Sequence, residues 1–510
     1  MFVKCRDGVF AGSPGTELRP EPSAEAPRGR RVAGHFARAA RLGHLKWYAL
    51  RPEHGLGFDR RRLAIWYAGF AVYAGLVLIF SGGGADGIWG GWATAGYALA
   101  ALVALRSRSY AVPLLVALAV ALLAPMAWLA LRDPATADVL VVARSAILLL
   151  RDGSPYLSAG QLATWQSYNP YLPAMALFGL PAAIGLPHLG DPRLWLTLAS
   201  AALLAFAFAL VGQHRATRCG SCRWVAAWCA VFAVASPVLA LPLAVGITDP
   251  PVIALMCVAL ACAERFRLTR APQLPFAAGM AIGFACAMKA TAWPALAVIA
   301  AMFIARDGVR VAGRFVATSL VTTAGLIAAT APGLLKTPTG LLQNTVLYPL
   351  GMTQRKTPAA SPMPGHLLAS TGEAGHLTAI WLLVTAAVVI AASLVVRPPA
   401  DAAAATRRLA IGLAVMFVLA PQTRFGYFSY PVALLGWLAM TRLRARPAGR
   451  GRPAVQAAVP AQVAATNGHA KQASGRGEAL RRAVHYLLPE RGTPGRARHR
   501  RKAGEHPMTS

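Results

Sequence analysis

Residues 133–173 read DPATADVLVVARSAILLLRDGSPYLSAGQLATWQSYNPYLP and interrupt a series of long apolar runs. The stretch gathers carboxylates, arginines, tyrosines and a tryptophan, which a segment that merely crosses lipid avoids because polar groups are costly there. Within it, apolar side chains recur at three- and four-residue steps over Asp138–Arg151, which predicts an amphipathic helix. Such a helix is typical of a membrane surface. We therefore expect a membrane protein that binds or makes something at this surface.

The composition of the whole chain also indicates a membrane protein with several spans. Its 510 residues are 56% hydrophobic and 14% charged, and the mean hydropathy is +0.49, whereas a soluble enzyme of this length needs far more surface charge. Most of the seven cysteines lie in apolar runs as small hydrophobes, and Cys219 and Cys222 form a lone CxxC motif without further ligands. No metal site is expected.

Twelve apolar runs are long enough to cross, or nearly cross, a bilayer. They lie at about 63–80, 88–105, 110–131, 194–211, 224–246, 249–263, 274–288, 290–305, 311–335, 377–396, 408–420 and 427–440. The stretch 171–186 contains two prolines and is expected to be a short re-entrant or tilted piece. An even number of spans places both termini on one side of the membrane.

The charge distribution decides which side that is. Residues 1–62 carry 13 Lys/Arg against 6 Asp/Glu, and residues 441–510 carry 15 against 3. By the positive-inside rule both tails are cytoplasmic, and the loops 132–170 and 336–376 are extracytoplasmic, where we expect them to meet over one cavity. The tails interleave arginine with Ala, Gly and Pro and lack aromatic platforms, which favours disorder over nucleic-acid binding.

The sequence thus predicts an all-α, multi-pass protein of the cell membrane. Its parts are a basic cytoplasmic tail over 1–62, a transmembrane domain over 63–440 and a basic disordered cytoplasmic tail over 441–510.

Four charged residues on the predicted extracytoplasmic side are candidates for chemistry. Asp138 opens an apolar helix, where helix capping and general-base catalysis are equally good explanations, and capping adequately explains Asp249. Lys289 lies between two apolar runs with almost no loop around it, and its predicted side opposes the usual charge bias, which favours a ligand anion over simple snorkelling. Arg424 lies similarly at an outer helix end among aromatic residues.

The order of these motifs resembles the GT-C superfamily of polytopic glycosyltransferases and, within it, family 87, which uses polyprenyl-phosphate-linked mannose or a related sugar. The corresponding elements are Asp138, Gly153–Tyr156, Tyr168–Pro173, Gly246–Asp249, Met288–Thr291 and Ala420–Tyr427. The resemblance spans about 130–440. In the last element Arg424 and Gly426 replace a tryptophan and a histidine of the family, and His366 and His376 are candidates to substitute for that histidine, the alternative being that they are simply solvated.

The resemblance implies an inverting hexosyltransferase-like enzyme that moves a sugar, mannose or a related hexose or pentose, from a polyprenyl-phosphate donor to an extracytoplasmic lipid or glycan acceptor. It implies Asp138 as the base, and Lys289, Arg424, Arg355 and Lys356 as the cations that bind the donor phosphate. The residues expected to line the substrate cavity are Tyr156, Tyr168, Tyr171, Asp249, His366 and Tyr427. Fixed cations can neutralise a single leaving phosphate, so no metal or other cofactor is expected. The expected partners are membrane lipid, the donor and the acceptor.

One alternative is a transporter or a flippase for lipid-linked sugar, in which the same charges mark a translocation path. Charged residues in mid-membrane favour transport, whereas charges at helix ends on one face favour an enzyme. Another alternative is a degenerate relative that only binds lipid-linked sugar.

Overall fold

The computed structural model describes residues 59–132, 136–186, 189–212, 221–335, 338–355 and 357–445. Lys356 and Cys219 lie outside these ranges, as do most of both predicted tails, so the boundaries proposed at 62 and 440 stay predictions. Within the described ranges the regular structure is helical, apart from one isolated bridge between Ala360 and Thr423. The predicted all-α class is confirmed.

Ala, Leu and Val dominate the helical stretches, and a helix satisfies its own backbone polar groups, as a lipid environment requires. In the first half of the chain the helices are α1 Arg60–Phe80, α2 Ala85–Arg106, α3 Ala111–Arg132, α4 Ala137–Asp152, α5 Pro173–Ala183, α6 Pro192–Gly212, α7 Ser221–Val234, α8 Pro237–Val245 and α9 Asp249–Thr269. In the second half they are α10 Gln273–Met288, α11 Trp293–Asp307, α12 Val309–Thr330, α13 Pro338–Leu342, α14 Pro364–Ala369, α15 Glu373–Val396, α16 Ala402–Leu419 and α17 Ser429–Ala445.

Eight stretches of the described chain are long and apolar enough to cross a membrane. They are α1, α2, α3, α6, Ala290–Asp307, α12, α15 and α16. The pair α7 and α8, bent by 64° at the break between them, makes a ninth if it counts as one span. All twelve predicted apolar runs lie on helices, but α9, α10 and α17 are not among these spans. The protein is therefore multi-pass, and the count of twelve stays a prediction.

Helix α5 occupies the ambiguous stretch 171–186. It starts as a 3₁₀ helix over Pro173–Gly179 and ends after one α-helical turn at Ala183. It is too short for a bilayer, which needs about 20 residues, so this part of the chain matches the short piece that its prolines predicted.

Helix α4 is the predicted amphipathic helix, one residue longer at each end than the sequence indicated. Val142 and Ala146 on its inner face are fully buried and pack against α5, while Leu140 and Ile147 on its outer face are about half exposed, at 52% and 50%. The helix ends at Gly153, whose φ of +70° terminates it in the left-handed conformation that glycine adopts without strain. A half-buried helix of this kind suits a membrane surface.

Helix α9 forms the centre of the domain. Every residue from Asp249 to Ala263 is buried, and the helix contacts α6, α10, α16 and α17. A helix that is apolar on all sides is buried by its neighbours. Its first residue, Asp249, therefore lies inside the protein at one end of the helical domain. Glu264 and Arg267, near its other end, form an exposed ion pair at 2.6 Å.

Candidate active site

The start of α4 is fixed against the corner between α8 and α9. The Thr136 hydroxyl donates to the carbonyl oxygen of Val245 at 2.9 Å. Gly246, with a φ of +94°, follows that carbonyl, and a Cβ added there would lie 2.2 Å from Val139 Cγ2. Only glycine fits this close approach. The corner thereby brings Asp138 on α4 near Asp249 on α9.

The Asp138 carboxylate faces other side chains rather than the helix backbone. Its Oδ1 accepts a hydrogen bond from the Tyr171 hydroxyl at 2.7 Å, and its Oδ2 lies 3.8 Å from Arg424 Nη1. The side chain keeps 19% of its surface exposed, and that of Arg424 keeps 38%. The structure therefore does not support the capping explanation for Asp138, and it shows a carboxylate that a ligand can reach.

Tyr171 is buried beneath this ion pair and held at several points. Its backbone N–H donates to Asn169 Oδ1 at 3.1 Å, and its carbonyl oxygen accepts from the Tyr156 hydroxyl at 2.8 Å. Burial first, and the nearby Asp138 second, raise the pKa of Tyr171 well above its ordinary value. The phenol is therefore protonated and donates to Asp138 at any physiological pH.

Lys289 forms a second, more deeply buried ion pair. It follows α10, which runs antiparallel to α9, so its ammonium meets the Asp249 carboxylate at the start of α9. The Thr248 hydroxyl lies 3.2 Å from Nζ, and the Tyr430 hydroxyl donates to Asp249 Oδ1 at 2.9 Å.

Two expectations are corrected here. Asp249 does not serve as a cap, because its carboxylate binds Lys289 and Tyr430 instead of the helix start. Lys289 is not an isolated cation that needs a ligand anion to neutralise it, because Asp249 already does so.

Two tyrosines bring the two ion pairs into one site. Lys289 Nζ lies 5.2 Å from the ring centroid of Tyr171 and 5.8 Å from that of Tyr427, distances suited to cation–π contact. Tyr427 also lies within electrostatic range of Arg424, Asp138 and Asp249. The predicted residues Asp138, Lys289 and Arg424 thus meet around Tyr171 and Tyr427.

Arg424 is held in place by the second long loop. Thr423 donates its backbone N–H to Ala359 O at 2.9 Å, and the backbone N–H of Ser361 donates to Thr423 O at 3.0 Å. His366 Nδ1 lies 2.9 Å from the carbonyl oxygen of Pro421 in the same segment. His366 therefore contacts the backbone of the segment that carries Arg424. The sequence had predicted that His366 lines the substrate cavity.

The two predicted extracytoplasmic loops do meet. The ring of Tyr168 stacks on that of Tyr348 with centroids 4.3 Å apart and planes 6° apart, and the backbone N–H of Asn169 donates to Asn344 Oδ1 at 2.7 Å. Tyr168 is thus part of the contact between the loops. Arg355, on the second loop, is exposed.

Sequence reasoning missed two residues of this region. Tyr430 looked like an ordinary aromatic at a helix start, and nothing in its spacing marked a contact with Asp249. Asp86, which follows a run of three glycines, belongs to the first turn of α2 and lies within electrostatic range of Arg424 and Asp138. The sequence signal that could have identified Asp86 is a carboxylate at the start of an apolar helix.

The described residues contain no group of three or more His, Cys, Asp or Glu side chains placed to hold a metal ion.

Residues 169–421 match the family model of glycosyltransferase family 87. This part of the chain belongs to glycosyltransferase family 87. The match confirms the resemblance to family 87 that the sequence motifs indicated, and it indicates membrane glycosyltransferase activity. Tyr171, Asp249 and Lys289 lie inside the matched segment, whereas Asp138 lies 31 residues before it and Arg424 three residues after it. No curated protein and no solved structure matches the chain.

Proposed function

We propose that the protein transfers a sugar, mannose or a related hexose or pentose, from a polyprenyl-phosphate donor to a hydroxyl of an extracytoplasmic lipid or glycan acceptor. The observation that carries the proposal is the partly exposed pair of Asp138 and Arg424. A carboxylate and a guanidinium 3.8 Å apart supply a base for the acceptor and a cation for the leaving phosphate within one site.

In the proposed reaction Asp138 Oδ2 accepts the proton of the acceptor hydroxyl. The hydroxyl oxygen then forms a bond to the anomeric carbon while the bond from that carbon to the phosphate oxygen breaks. The electron pair leaves with the polyprenyl phosphate, and the anomeric configuration inverts. Arg424 stabilises the charge that develops on the phosphate, and its planar fork can hold two phosphate oxygens at once.

Lys289 has a narrower role than a free cation would have. An ammonium group has three N–H donors, and Asp249 and Thr248 lie within reach of two of them. We assign the third to a phosphate oxygen of the donor. Because Asp249 offsets its charge, Lys289 contributes mainly by orienting the donor, and Arg424 contributes most of the positive charge. Arg355 and Lys356 on the second loop are candidates for further contacts with the phosphate.

The proposed site lies on the extracytoplasmic side and both termini lie in the cytoplasm, as the basic tails predict. The charges that form the site lie at the starts of α4 and α9, directly after α10 and in the segment between α16 and α17. This placement supports transfer at the membrane surface rather than transport through mid-membrane.

The test is sugar transfer by the purified full-length protein. Radiolabelled polyprenyl-phosphate mannose is incubated with the protein and a membrane-lipid extract, and labelled product is separated by chromatography. We expect transfer by the native protein and at least about 100-fold slower transfer by Asp138→Asn. Asp152→Asn is the matched control, because Asp152 is exposed at the far end of the same helix and pairs with Arg151. Label transferred from nucleotide mannose but not from the lipid-linked sugar would overturn the proposal.

A further inference from the structure

Tyr171 contacts the carboxylate of Asp138 through one oxygen and leaves the other oxygen open. We infer that Tyr171 is a positioning residue that holds Asp138 by Oδ1, so that Oδ2 alone faces the acceptor and takes its proton. The inference rests on the proposed function, since it assigns how the base of that reaction is oriented.

The position of the Tyr171 hydroxyl is fixed from several directions. Its backbone is bound on both sides, by Asn169 and by Tyr156. The backbone N–H of Leu172 donates to Met288 O at 3.0 Å, which ties the residue to the turn that carries Lys289. The ammonium of Lys289 lies over its ring. A side chain held at its backbone and across its ring keeps its hydroxyl in one place.

This fixed donor decides which oxygen of Asp138 is the reactive one. The terminal torsion of an aspartate side chain is broad, so an unrestrained carboxylate presents either oxygen. The hydrogen bond of 2.7 Å to Oδ1 removes that freedom. Arg424 lies 3.8 Å from Oδ2, close enough for electrostatic attraction and beyond hydrogen-bond distance, which leaves Oδ2 able to accept a proton.

The charge state of Tyr171 agrees with this assignment. Burial and the adjacent carboxylate raise the pKa of its phenol, so Tyr171 stays protonated. A protonated phenol donates its hydrogen bond to the carboxylate, and Tyr171 can therefore orient Asp138.

The test is the split between kcat and KM in Tyr171→Phe, which keeps the ring and removes only the hydroxyl. Without that hydroxyl the Asp138 carboxylate is free to rotate, so we expect kcat to fall by about tenfold or more while KM for the donor stays within about twofold. Tyr97→Phe is the control, because its buried hydroxyl also donates a hydrogen bond, but to the backbone carbonyl oxygen of Ala235 at 2.7 Å. Its kcat should stay within about twofold of the native value.

A second variant covers the case in which Tyr171→Phe does not fold. Replacing Tyr171 with 4-fluorophenylalanine fills the space of the hydroxyl but cannot donate a hydrogen bond, so kcat should again fall by about tenfold or more while KM for the donor stays within about twofold. A native kcat in the variants that fold would overturn the inference. Asp138→Asn separates the two proposals. If it is inactive while both Tyr171 variants behave as native, only the positioning role fails, and if it is fully active, the proposed base fails.

Discussion

The ammonium of Lys289 is ion-paired with Asp249, a carboxylate that is only 1% exposed. The Tyr430 hydroxyl donates to the same carboxylate, and Thr291 donates to Tyr430 at 2.8 Å. A buried pair of this kind does not guarantee stability, because removing two charges from water is costly, but breaking it leaves one uncompensated charge. The pair therefore limits which single substitutions Asp249 and Lys289 tolerate.

Single neutralisation of this pair should destabilise the protein more than double neutralisation. We expect Asp249→Asn and Lys289→Met each to cost about 3–5 kcal/mol and the double variant to cost clearly less than the sum, because only the single variants leave a buried charge unpaired. Thermal unfolding of the native protein and the three variants in the same detergent measures their relative stabilities. Glu264→Gln is the matched control, since its exposed pair with Arg267 contributes about 1 kcal/mol or less. Additive losses in the double variant would contradict the prediction.

Asp138→Asn should lower turnover by about 100-fold or more while leaving the unfolding temperature nearly unchanged. The amide keeps the size of the carboxylate and removes the basic oxygen. Steady-state transfer assays and thermal unfolding of the same preparation check both parts. Native turnover would shift the role of base to another carboxylate, and Asp86 would be the first to examine because it lies in the same electrostatic environment.

Lys289 and Arg424 should act on one donor phosphate. We expect Arg424→Ala to weaken transition-state stabilisation by roughly 2–4 kcal/mol. Lys289→Met, compared in the Asp249→Asn background so that no buried charge is left unpaired, should weaken it by less, and the combined variant should lose less than the sum. Arg424→Lys should keep part of the activity, because the charge survives although the fork is lost. The measurement is kcat/KM for the lipid-linked donor. Strictly additive losses would show that the two cations act on separate groups.

The sequence predicted the parts of the site that depend on local pattern. Periodicity located α4 to within one residue at each end, and charge at apolar helix ends selected Asp138, Lys289 and Arg424, which the structure brings together around Tyr171 and Tyr427. The sequence did not predict that Lys289 pairs with Asp249. That contact depends on how α10 aligns with α9, and the sequences of apolar helices carry little information about their relative register. Tyr430 was missed for the same reason. A tyrosine at a helix start has many possible partners, and only the packing of α17 against α9 selects Asp249.

The orientation in the membrane can be tested with single cysteines in a background that lacks the native ones. We expect Ala360→Cys in intact cells to react with an impermeant thiol reagent, because Ala360 is exposed on the second long loop and that loop is predicted to be extracytoplasmic. Thr269→Cys, exposed at the far end of α9, should react only after the cells are opened. The reverse pattern would place the site on the cytoplasmic side.

Gly179→Ala should lower both stability and turnover although residue 179 is far in sequence from any proposed catalytic group. Gly179 ends the 3₁₀ part of α5, where a Cβ would lie 2.3 Å from the carbonyl oxygen of Val142 and 3.0 Å from Ala146 Cβ. Both neighbours belong to α4, and a backbone oxygen cannot rotate away as a flexible side chain can. The added methyl must therefore push α4 outward, and Asp138 moves with it.

The expected cost of this overpacking is about 1–3 kcal/mol in unfolding free energy. A displacement of about 1 Å at the base lowers turnover by roughly 100-fold, so kcat should fall by more than the loss of folded protein explains. Gly325→Ala is the matched control, because Gly325 lies within α12 and a Cβ there meets nothing within 4 Å. That variant should be neutral or more stable by up to about 1 kcal/mol. If Gly179→Ala instead behaved like Gly325→Ala in both assays, the packing of α5 against α4 would not be what positions Asp138.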